Sequence, residues 1–75
     1  MATVQNVIVG EPRTSVVRDL MARQNDPALL ADLLFLERWE AAPAHGTGSV
    51  LRVAQIRRAL PDVAAAVRAE IAVKR

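Results

Sequence analysis

Few side chains in this sequence can do chemistry, and their spacing decides what they can do. His45 is the single histidine, set in Ala41-Ala42-Pro43-Ala44-His45-Gly46-Thr47-Gly48-Ser49, and the chain has no cysteine. Zinc sites need three or four converging ligands, and a nucleophilic triad needs a base oriented by an acid. Neither set is in sight of His45, which reads as an exposed loop residue. Glu37 and Glu40 lie three apart on one predicted helix, the spacing of an acid and base pair. They bracket Arg38 beside Trp39 and read as a solvated helix face. Gly46-Thr47-Gly48-Ser49 precedes a predicted helix, whose first N–H groups attract anions. It lacks the lysine and spacing of a nucleotide loop, so one phosphate contact is the most it offers. The sequence thus predicts no catalytic residue, no metal ligand, no cofactor and no small-molecule substrate. It reads as a non-enzyme that works by binding.

Charge suggests one kind of partner. Net charge is +2, but residues 49–75 hold six cations against two acids, whereas residues 1–48 hold four against six. A basic C-terminal half favours an anionic partner. Arg52, Gln55, Arg57, Arg58, Arg68, Lys74 and Arg75 are the candidate DNA contacts. Phe35 and Trp39 lie outside this half, so no aromatic is interleaved for base stacking; double-stranded DNA is the form expected.

Apolar patterning suggests another kind. From Asn25-Asp26-Pro27, where Asp26 caps and Pro27 takes the first helical position, a helix runs to about Ala42. Leu29, Leu33 and Leu36 form one of its stripes, Leu30 and Leu34 a second, Phe35 and Trp39 a third. A helix apolar on most sides is covered on most sides. Either it is the central helix of the domain, or Leu30, Leu34, Phe35 and Trp39 face another subunit or protein.

The elements that must carry these residues follow from caps and periodicity. Thr3-Val4-Gln5-Asn6-Val7-Ile8-Val9 reads as a strand or extended arm ended by Gly10. Glu11-Pro12 opens a first helix, with Thr14 or Ser15 as alternative caps, and Val16, Val17, Leu20 and Met21 form its apolar face. Ser49 caps a third helix carrying Val53, Ile56 and Leu60 on one side. Leu60-Pro61-Asp62 ends it, and Asp62 caps a fourth with Val63, Ala64, Val67 and Ile71 inside and Glu70 four residues before Lys74. The fold class is all-α: a small four-helix domain over residues 11–75, preceded by an arm over residues 1–10. A strand followed by two helices also matches a ribbon–helix–helix dimer over residues 3–40, although Val7 and Val9 are apolar where that strand reads DNA.

At 75 residues such a domain buries only about 60% of its unfolded surface, which favours a homo-oligomer or protein partner. The absence of cysteine, of a basic signal-like start and of any long apolar run predicts a soluble cytoplasmic protein without a membrane span.

Residues 52–71, Arg-Val-Ala-Gln-Ile-Arg-Arg-Ala-Leu-Pro-Asp-Val-Ala-Ala-Ala-Val-Arg-Ala-Glu-Ile, resemble the helix-two-turn-helix segment of actinobacterial integration host factors, small nucleoid proteins that bind and bend DNA. Arg52, Val53, Ile56, Ala59, Leu60, Pro61, Val63, Glu70 and Ile71 carry the resemblance, which spans about a quarter of the chain. It implies an accessory DNA-binding protein. In that family a Gly-Val-Gly-Lys turn holds a DNA phosphate. Leu60-Pro61-Asp62-Val63-Ala64-Ala65 stands there in this sequence, with an acid and alanines in place of the glycines and lysine, so the implied phosphate site is not carried over.

Overall fold

The computed structural model describes residues 11–42 and 47–74. The expected N-terminal arm, His45 and Arg75 lie outside them. The described residues form four helices: α1 (Ser15–Arg23), α2 (Pro27–Ala41), α3 (Thr47–Ala59) and α4 (Pro61–Lys74). The all-α, four-helix class is what the sequence predicts.

The starts of α3 and α4 differ from the sequence expectation, and α1 takes the later start that goes with Thr14 as its cap. α1 does not begin at Glu11-Pro12 but at Ser15, because Thr14 is extended (φ −120°, ψ 153°) and its Oγ accepts from Val17 N at 3.3 Å. The N–H groups of Arg13 and Thr14 donate to the Glu37 carboxylate at 2.8 and 2.9 Å. α3 begins at Thr47, so Ser49 lies inside its first turn rather than capping it. α4 begins at Pro61, and Asp62 is an acid of the first turn, favourable to the helix dipole, rather than the cap. Leu60 alone joins α3 to α4: its N–H donates back to Ile56 O at 2.8 Å and its carbonyl accepts from Ala64 N at 2.9 Å.

α2 begins as expected. Asp26 Oδ1 accepts from Ala28 N at 3.0 Å and Leu29 N at 3.2 Å, with Pro27 in the first turn where it lacks no needed donor. Asp26 is exposed, so its contribution is the cap itself. Asp26→Ala is expected to lower stability by about 1 kcal/mol, as read by urea unfolding, with Asp26→Asn restoring most of it.

α2 packs against each of the other three helices. Its Leu33 and Leu36 are fully buried among Val17 of α1, Val53 and Ile56 of α3, and Ala64, Val67 and Ile71 of α4. This is the central-helix arrangement, and it covers most of α2. Leu30 is only 4% exposed, which removes it from the interface candidates. Leu34, Phe35 and Trp39 are half-buried against the core.

Candidate functional site

The acids of α2 are anchors. Glu37 and Glu40 were expected on a solvated face, yet Glu37 is 1% exposed and the Glu40 side chain 12%. Rotation by three residues aims them at different neighbours. Glu37 accepts from Arg13 N, Thr14 N and the Thr14 hydroxyl at the start of α1. Glu40 takes Arg57 of α3 at 2.6 Å and approaches Arg68 of α4 at 4.0 Å. The sequence signal for this was present: two acids on the helix with the most apolar sides fall within or beside its buried arc, where a carboxylate must find donors.

The basic half is largely met by acids of the same chain. Arg52 donates through Nε and Nη2 to Asp32 Oδ1 at 3.2 and 2.8 Å. Its guanidinium carbon lies 4.2 Å from the centroid of the Phe35 ring, a cation–π contact. Arg57 and Arg68 converge on Glu40. Lys74 pairs with Glu70 at 3.5 Å, four residues earlier, as its spacing predicts. Gln55 and Arg58 are exposed on α3. Of the DNA-contact candidates among the described residues, Arg52, Arg57 and Arg68 thus reach acids of α2, Lys74 pairs within α4, and Gln55 and Arg58 face solvent.

Large apolar side chains remain at the surface where the sequence reading did not look. Val50 is 49% and Leu51 64% exposed on α3, and Val73 is 85% exposed near the end of α4. Leu51 stands about 200° around the helix from Val53, off the stripe that packs inward; that offset was legible from the sequence. Val50 and Leu51 directly precede Arg52, which covers Phe35. Both are in the first half of α3. A shallow groove between α2 and α3 is lined by Leu29, Asp32, Arg52, Ile56 and Leu60.

Among the described residues no three His, Cys, Asp or Glu side chains cluster to hold a metal, and no helix is long and apolar enough to cross a membrane. Comparison with known protein families, characterised proteins and solved structures finds no match.

Proposed function

We propose that this chain is a non-catalytic protein-interaction module, a regulator, adaptor or assembly subunit, that associates with a second copy through the outer side of α2 and the adjoining end of α3. The supporting observation is the contrast between its two surfaces. Arg52, Arg57, Arg68 and Lys74 are each met by a carboxylate of their own chain, whereas Val50 and Leu51 stand exposed on α3 just before Arg52, whose guanidinium lies over half-buried Phe35. Exposed aliphatics on a helix face are what a protein interface uses. A small domain with a limited core also gains stability from a partner's surface.

Sedimentation equilibrium over a concentration series tests this. The expected result is a dimer or larger that Leu51→Glu weakens by at least roughly tenfold, since burying a leucine contributes about 1.5–3 kcal/mol. A species of monomer mass at every concentration would overturn it.

The alternative is an accessory double-stranded-DNA-binding protein. It is favoured by Gln55 and Arg58, exposed together on α3, and by the resemblance of residues 52–71 to integration host factors. Phosphate contacts there would have to compete with the internal carboxylates for Arg52 and Arg57, at a cost that rises as those pairs shorten.

A further inference from the structure

The start of α1 is held from two directions by carboxylates. Glu37 of α2 accepts from Arg13 N at 2.8 Å, from Thr14 N at 2.9 Å and from the Thr14 hydroxyl. Glu70 of α4 takes the next residue with both oxygens, Ser15 N at 2.7 Å and Ser15 Oγ at 2.9 Å. Three consecutive residues thus direct backbone N–H groups at two acids from two helices. The apolar hold on α1 is small by comparison. Val17 is its one fully buried residue, while Val16, Leu20 and Met21 are half-buried.

We propose that α1 is a carboxylate-latched flap, which opens as a unit from the α2–α4 body when the latch loses its charge and uncovers the apolar faces of α2 and α4 beneath Val17. The body keeps its own core: Leu33, Leu36, Val53, Ile56, Ala64, Val67 and Ile71 pack together across three helices. Local opening of a weakly anchored element is the general pattern for parts of a fold with few buried apolar contacts.

The Glu70 side of the latch works while that acid is ionised, because an ionised carboxylate accepts at every lone pair and a protonated one turns an O–H toward donors. The charged groups at this end are Arg13 and Arg18 on the α1 side, Glu37 on α2, and Glu70 and Lys74 on α4. Arg18 donates to Pro12 O at 3.2 Å, and Lys74 donates to Arg13 O and pairs with Glu70 at 3.5 Å. The Ser15 N–H and hydroxyl, then Lys74, hold the Glu70 carboxyl below its usual 4.5. A depressed folded value means that the contribution is present above about 4.5 and is lost as pH falls through the folded value. Acid therefore loosens the flap. The decisive comparison is made with variants at neutral pH.

The experiment is native-state amide hydrogen exchange on the full chain at pH 7, comparing wild type, Glu37→Gln and Glu70→Gln. Glu37→Gln is expected to speed exchange of the residue 18–24 amides at least tenfold while the slowest amides of α2 and α4 change less than threefold. Glu70→Gln, at a half-buried position that the core does not depend on, gives the same pattern with a smaller factor. Wild-type α1 amides that exchange together with the slowest α2 amides, or parallel acceleration of all four helices in Glu70→Gln, would overturn the flap.

Discussion

Leu36→Ala is expected to lower the unfolding free energy by about 3 kcal/mol. Leu36 is fully buried on the helix that touches all the others, among side chains from all four helices. Truncation there loses the transfer free energy of the removed carbons and leaves a cavity that a core drawn from four elements closes only in part. Domains hold about 0.05–0.15 kcal/mol per residue, so a chain of this length keeps little after such a loss. Urea unfolding followed by far-UV circular dichroism should show the midpoint falling with the slope unchanged. Leu51→Ala, at a 64% exposed position, serves as the contrast and should change monomer stability by less than about 0.5 kcal/mol. A loss below about 1 kcal/mol for Leu36→Ala would contradict the placement of the core.

Thr14→Val is expected to cost about 2–3 kcal/mol, although it exchanges side chains of nearly the same shape. Thr14 is 0% exposed. Its hydroxyl does two jobs, donating to the Glu37 carboxylate and accepting from Val17 N at 3.3 Å. Removing a cap costs about 1 kcal/mol, and removing a hydrogen bond to a charged group about 1.5–3 kcal/mol. The total stays below most of the range of their sum because Glu37 keeps the two backbone donors. Thr14→Ser retains both hydroxyl roles and should recover most of the loss in the same urea measurement. Equal stability of Thr14→Val and wild type would show that the buried hydroxyl contributes nothing.

The architecture was legible where local chemistry decides it. Asp26-Pro27 marks the start of α2 in sequence and in structure, since cap and proline act within one turn. The Val53 and Ile56 stripe of α3, and the Ala64, Val67 and Ile71 stripe of α4, were read from periodicity and are buried. The start of α1 was not fixed by sequence, because the group that accepts from Arg13 N and Thr14 N is Glu37, more than twenty residues away. Local rules offered Thr14 among several caps without a reason to prefer it.

The candidate site divides in the same way. Lys74 with Glu70 is a local pair and was foreseen. The partners of Arg52 and Arg57 on α2 come from helix packing, which charge counting along the chain cannot see. Four of the cations in that half are thereby paired with acids of the same chain. Reading Glu37 as solvated missed the opposite consequence: on the helix that every other helix covers, a carboxylate becomes a structural acceptor. Leu51 lies off its helix's inward stripe, and that offset is what leaves it exposed.

The most direct test of the interaction reading is sedimentation of the purified chain, alone and with a random-sequence 30-base-pair duplex, at low and high salt. The reading predicts a dimer or larger species that is insensitive to salt and leaves the duplex sedimenting as free DNA. A protein–duplex complex that weakens steeply with salt, as phosphate contacts require, and is lost in the Arg52→Ala, Arg58→Ala double variant, would contradict it.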